Sequence, residues 1–174
     1  MRKSITFVET LIHSKMETME KMKMIIETKV AITHEEIESM LVTALEGGSN
    51  YWYEFNAKDL KDARNWLLNE IEEGRLKRNE YINYTWMDAM FQGYPKAIPV
   101  YDSEEVYDLE NDGEFEDVEP IGYLSMETIK KGLEKASVEY PRQFNQYFPE
   151  YVNGDAEDAD VLFQLICLND IVYG

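Results

Sequence analysis

Residues 33–48 carry the strongest structural signal in the chain. Thr33 stands three residues before Glu36, the spacing of a capping box in which each side chain satisfies a backbone amide at a helix N-terminus. Apolar residues then recur at helical spacing as far as Gly47-Gly48. We expect this glycine pair to end the helix, because glycine enters the left-handed conformation without a steric penalty.

Strand and helix patterns alternate on both sides of this segment. Period-two alternation or aromatic enrichment predicts strands at 26–32, 51–55, 97–101, 121–124 and 171–173. Helical periodicity predicts helices at about 58–73, closed by Gly74, and at 82–90, ended by Gly93. Two further helices are predicted, one from Ser125 to just before Pro141 and one that begins at Asp155 or Asp158. The pattern predicts an α+β fold, with a small, mostly antiparallel sheet and helices packed on one face.

The domain organisation follows from the same patterns. We expect residues 24–174 to form a single α+β domain, with an acidic loop or hairpin inserted near 102–119. Residues 1–23 precede it as an N-terminal appendage whose apolar spacing is typical of a helix.

Negative charge is concentrated in two parts of the chain. The 174 residues carry a formal net charge of −18, yet residues 1–96 are close to balanced, with 16 acids and 13 bases. Residues 97–129 hold 11 acids and no base, and residues 143–174 hold six acids and no base. Nonspecific binding to nucleic acid needs clustered Lys and Arg, so direct nucleic-acid binding is excluded. Such blocks are either a solvated loop or a surface complementary to a basic partner.

The residue types that usually carry catalysis are scarce. His13 lies in the appendage, and His34 lies at the first turn of a helix, where the dipole disfavours imidazolium. The single cysteine, Cys167, lies in an apolar run, which is typical of a core residue. We therefore expect a protein that is not an enzyme and has no cofactor. A lone cysteine and no long apolar run predict a cytoplasmic protein without a membrane span.

One segment approaches the pattern of a calcium-binding loop. Acids at Asp108, Glu110, Asp112 and Glu119 fall at EF-hand ligand positions, with a glycine at the turn. Pro120 follows immediately, where the exit helix should begin. We therefore predict no metal site, and these four residues are the weak candidate ligands.

Two stretches, Ile32–Trp52 and Asp158–Gly174, resemble a family of small phage and prophage proteins. The resemblance rests on the Glu46-Gly47-Gly48 and Tyr51-Trp52 motifs, on Asp158-Ala159-Asp160 with Gln164, and on the closing Ile171–Gly174. It covers roughly residues 24–55 and 121–174. At Leu168-Asn169 the relatives commonly have Phe-Gly, although Asn can also adopt the left-handed cap. The resemblance implies a phage origin and an accessory role in an infected bacterial host.

The signature residues of this resemblance mix polar and aromatic character. We expect these residues to stabilise junctions that define the fold, and the alternative is that they line a shared binding site. The residues concerned are Glu46, Tyr51, Trp52, Asp158, Asp160 and Gln164.

The first functional hypothesis is a non-enzymatic phage accessory protein that binds and inhibits a host factor. A defence nuclease is the favoured partner, because an acidic surface can mimic nucleic acid in a basic channel. The predicted partner-binding residues are Glu104, Glu105, Asp108, Glu110, Asp112, Glu114, Glu116 and Asp117. The alternatives are a small-ligand module for a nucleotide signal or Ca²⁺, and a structural or assembly component of the phage.

Overall fold

The computed structural model describes residues 30–78, 83–107, 115, 118–148 and 154–174. The chain divides into two units, Met1–Val30 and Ala31–Gly174, and the fold described here is that of the second. The predicted appendage, 1–23, and the first part of the predicted strand, 26–29, lie outside the described residues. Residues 30–33 are irregular, so the strand prediction is wrong for its described part, where no neighbouring strand pairs with it.

Helices dominate the described part of the chain. The elements in chain order are α1 (His34–Thr43), a turn of π-helix (Ala44–Gly48), β1 (Tyr53–Glu54), α2 (Ala57–Glu72), α3 (Trp86–Phe91), β2 (Ile98–Asp102), α4 (Ser103–Tyr107), β3 (Gly122–Leu124), α5 (Met126–Glu139), α6 (Pro141–Tyr147) and α7 (Ala156–Leu168). The strands form one antiparallel sheet in the order β1-β2-β3, with Glu54 opposite Tyr101 and Pro99 opposite Tyr123. The predicted α+β class is confirmed.

Side-chain caps fix where the helices begin. The predicted capping box at the start of α1 is present, with the Thr33 amide donating to Glu36 Oε2 at 2.7 Å. Ser125 caps α5 as predicted, in a box with Thr128. Asn169 ends α7 at φ 57°, the left-handed cap that the sequence allows. Helix α6 was not predicted, because Pro141 both stops α5 and occupies the first turn of the next helix.

Gly47-Gly48 acts differently from the prediction. Neither glycine has a positive φ, and both continue the helix as part of the π-helical turn. A Cβ on Gly48 would lie 2.1 Å from the carbonyl oxygen of Ala156, at the start of α7. Glycine is therefore needed here for close approach between two backbones, rather than for left-handed conformation.

Helix α7 lies at the centre of the core. Its apolar residues Leu162, Phe163 and Leu165 have no exposed surface. Helix α5 packs against it so closely that a Cβ on Gly132 would lie 2.5 Å from Ile166 Cα. Polar side chains on α7 are therefore placed where the other elements of the domain meet. None of the described helices is long and apolar enough to cross a membrane.

Candidate functional site

Asp160 on α7 is a buried carboxylate that accepts hydrogen bonds from four side chains, and its exposed fraction is 7%. Its Oδ1 accepts from Ser49 Oγ at 2.6 Å and from Trp52 Nε1 at 2.7 Å. Its Oδ2 accepts from Tyr51 OH at 3.1 Å and from Gln164 Nε2 at 2.9 Å. Among the described residues no Lys or Arg pairs with this carboxylate, so four dipoles stabilise its charge.

Three of the donors, Ser49, Tyr51 and Trp52, reach Asp160 because of the turn that precedes β1. The π-helical turn brings the chain against the start of α7, and residues 49–52 then lie beside Asp160. Burial, followed by the charge of Asp160 and the hydrogen bond to it, raises the pKa of Tyr51. The phenol therefore keeps its proton and stays a donor to the carboxylate.

The structure brings together four of the six signature residues. Tyr51, Trp52, Asp160 and Gln164 belong to this network, whereas Glu46 is exposed on the π-helical turn. Ser49 completes the network and is not among the residues that the sequence motifs predict. Its position between a glycine pair and the Tyr-Trp motif was the available signal. In the part of the chain that the structure describes, every buried side-chain nitrogen and oxygen has a partner, so this network is closed.

Asp158 is the sixth signature residue, and it lies outside the Asp160 network. Two residues along a helix correspond to a rotation of roughly 200°, so the two carboxylates leave different faces of α7. The Asp158 backbone amide donates to the capping Asp155 Oδ1 at 2.9 Å. Burial, and then the charge of Asp155, raise the pKa of the Asp158 carboxyl, while Arg142 acts in the opposite direction. Asp158 is thus part of the helix start.

Gln164 holds the C-terminal segment, defined here as Ile171–Gly174. Its Oε1 accepts from the backbone amides of Val172 and Tyr173, both at 2.8 Å. Its Nε2 donates to the Tyr173 carbonyl oxygen at 2.9 Å as well as to Asp160. The predicted strand at 171–173 is therefore wrong, because a side-chain amide takes the place of a neighbouring strand.

Tyr173 connects the C-terminal segment to two further parts of the domain. Its ring stacks on Trp52, with centroids 5.1 Å apart and planes at 10°. Its hydroxyl donates to Asp102 Oδ2 at 2.6 Å. Burial, the hydrogen bond to Asp102, and the charges of Asp102, Glu105 and Glu104 raise the pKa of Tyr173 to about 12. The negative charges at the start of α4 thus favour the protonated form of this phenol.

Helix α4 begins in the same cluster of contacts. The second oxygen of Asp102, Oδ1, accepts from the Glu104 amide at 2.9 Å, as an N-cap does. Ser103 donates twice to the chain before β1, from its amide to the Trp52 carbonyl and from its hydroxyl to the Tyr51 carbonyl. These bonds fix the start of α4 and leave Glu104 and Glu105 exposed.

The predicted partner-binding residues are only partly described by the structure. Glu104 and Glu105 lie in the first turn of α4 and are exposed. The remaining six lie outside the described residues: Asp108, Glu110, Asp112, Glu114, Glu116 and Asp117. Three of the four candidate calcium ligands lie outside them too, while Glu119 is described and exposed. Within the described ranges, no group of three or more His, Cys, Asp or Glu converges as a metal site.

The chain matches no protein-family model, and it shows no significant similarity to a curated protein or a solved structure. Its class is therefore defined by the fold alone, as an α+β protein with a small antiparallel sheet. The resemblance to phage and prophage proteins stays a prediction from the sequence motifs.

Proposed function

We propose that this chain is a non-enzymatic phage accessory protein that binds and inhibits a host protein through an acidic surface. The partner's chemistry is a basic nucleic-acid-binding face, and a phage origin together with the base-free acidic blocks favours a nuclease of host defence. The acidic surface begins at Glu104 and Glu105 on α4 and continues in sequence through the acids of residues 108–119.

The observation that carries this proposal is the distribution of ion pairs. On α5, Lys131 pairs with Glu127 at 2.7 Å, and Lys130 pairs with Glu134 at 3.9 Å. The carboxylates of Glu104 and Glu105 are exposed, and no ion pair of the described residues involves either one. Unpaired like charges repel each other and give a field that attracts a cationic surface over a Debye length of about 8 Å.

The structure narrows which acids can take part. Asp160 is buried in its hydrogen-bond network, and Asp158 is 9% exposed at the start of α7. The acidic block at 143–174 is therefore partly internal, and its count of six acids overstates its surface charge. The proposed surface accordingly consists of Glu104, Glu105 and the acids of residues 108–119, all within the block at 97–129.

Charge reversal tests the proposal, with a matched control from α5. The test variant changes all eight acids to Lys: Glu104, Glu105, Asp108, Glu110, Asp112, Glu114, Glu116 and Asp117. The control changes Glu134 and Glu139, which are exposed acids paired with lysines of their own helix. A two-residue version, Glu104→Lys with Glu105→Lys, matches this control in charge. Loss of host-protein capture with the test variants, and retention with the control, is the expected result.

A further inference from the structure

We infer that Tyr173 is a positioning residue that holds the acidic turn of α4 in place, so that the C-terminal segment acts as a latch for this turn. This latch is inferred from contacts within the protein itself, with no partner bound. Only its consequence for partner binding rests on the proposed function.

Three separate contacts hold Tyr173. Its backbone makes two hydrogen bonds to the Gln164 side chain. The Tyr173 N–H donates to Gln164 Oε1 at 2.8 Å, and the Tyr173 carbonyl oxygen accepts from Gln164 Nε2 at 2.9 Å. Its ring lies flat on Trp52, which is 1% exposed. Its hydroxyl reaches Asp102. By contrast, the neighbouring Val172 side chain is 64% exposed and contributes little to the attachment.

Asp102 converts this attachment into control of α4. One of its oxygens accepts from the Glu104 amide and the other accepts from the Tyr173 hydroxyl. A five-residue helix has almost no stability by itself, because nucleation consumes most of what its few hydrogen bonds provide. The orientation of the Asp102 carboxylate therefore matters for the helix start, and Tyr173 is the described side chain that donates to its second oxygen.

The trajectory of Glu104 and Glu105 depends on that helix start. Both residues lie in its first turn, directly after the capped position. When the Tyr173 hydroxyl is absent, the carboxylate of Asp102 is free to rotate away from the Glu104 amide. The first turn then opens more often, and the two acids no longer occupy one fixed arrangement.

Amide hydrogen exchange in the free, full-length protein tests the latch. In Tyr173→Phe, which keeps the stacked ring, we expect exchange at the Glu104 amide to become about tenfold faster, because its hydrogen bond to the charged Asp102 is weakened. Amides of α5 should be unchanged. The matched control is Tyr123→Phe, at an exposed tyrosine on β3, which should leave α4 as in the wild type.

Equal α4 exchange in Tyr173→Phe and the wild type would overturn the inference, and so would a parallel acceleration in α5, which reports loss of global stability. A second variant, Asp102→Asn, has one oxygen left for two donors. It should accelerate α4 exchange, and Tyr173→Phe should add little to it. Because the exchange experiment contains no partner, its result does not depend on whether the proposed function is correct. Partner affinity lowered by Tyr173→Phe is the separate, dependent outcome.

Discussion

Gln164 donates a hydrogen bond of 2.9 Å to Asp160, one turn earlier on α7, and thereby connects the chain that precedes β1 to the C-terminal segment. Asp160 binds the chain that precedes β1, through hydrogen bonds from Ser49, Tyr51 and Trp52. Gln164 binds the backbone of the C-terminal segment. One polar face of α7 therefore binds segments that lie more than a hundred residues apart in sequence.

Asp160→Asn should be strongly destabilising. The new amide NH₂ would face either Gln164 Nε2 or the Ser49 and Trp52 donors, so at least one buried donor loses its acceptor. We expect the free energy of unfolding to fall by about 2–4 kcal/mol, measured by urea denaturation.

Asp158→Asn is the matched control, two positions away on the same helix. Burial and Asp155 raise the pKa of this carboxyl, so the folded state disfavours its charged form and loses stability as the pH rises through that pKa. Removing the charge should leave the free energy of unfolding at pH 7 unchanged or raise it by less than about 1 kcal/mol. Equal losses in both variants would contradict the assignment of distinct roles.

Gly48→Ala should disrupt the junction between the π-helical turn and α7. The added Cβ would lie 2.1 Å from a backbone oxygen, a contact that no side-chain rotation can relieve. The adjacent Gly47→Ala is the control, because its Cβ would meet Ala156 at an ordinary 3.5 Å. We expect a loss of about 3 kcal/mol or more for Gly48→Ala and about 1 kcal/mol or less for Gly47→Ala, measured from urea midpoints. A reversed order would show that this close approach is wrong.

Alkaline pH should lower the free energy of unfolding, because two tyrosines have raised pKa values in the folded state. The pKa values of Tyr53 and Tyr173 are both raised to about 12 from an ordinary value of 10. Between pH 10 and 12 the unfolded chain releases protons that the folded chain keeps, so the free energy of unfolding falls as the pH rises. Tyr173→Phe should make this fall shallower, whereas Val172→Ala should not. An identical pH dependence in wild type and Tyr173→Phe would argue against the partly buried, Asp102-bound phenol.

Calcium should leave the thermal stability unchanged. Pro120 stands where the exit helix of an EF-hand would begin, so Asp108, Glu110, Asp112 and Glu119 lack the framework of such a loop. A site occupied at one hundred times its dissociation constant would add about 2.7 kcal/mol. A melting temperature that rises with Ca²⁺ and returns with EDTA would restore the metal-binding alternative.

The sequence predicts local structure well where the signal is local. The Thr33–Glu36 box, the Ser125 cap and the left-handed Asn169 each depend on residues within four positions of one another, and each is confirmed. Gly74 and Gly93 also lie just past the helices they were expected to close, both with positive φ. Such signals are readable because turn and cap chemistry needs no knowledge of distant contacts.

The candidate site was less accessible to sequence reasoning, because its partners are distant. The Ser49–Asp160 bond joins residues 111 positions apart, so the local sequence around Ser49 does not identify its acceptor. Apolar alternation at Ile171–Tyr173 is typical of a strand, yet Gln164 satisfies that backbone instead. Gly48 is a residue type typical of a helix C-cap, yet here it allows the close approach of two backbones. In each case a tertiary contact decides what a local pattern leaves open.

The most direct measurement is competition for a host protein captured by the wild-type chain at low salt. The captured protein is loaded with fluorescent duplex DNA, and release of the DNA is followed as this chain is added. The acidic-surface account predicts release by the wild type and by the Glu134→Lys, Glu139→Lys control, with weakening at higher salt. It predicts no release by the variant with the eight acids reversed. Equal capture and equal release by that variant would contradict the account.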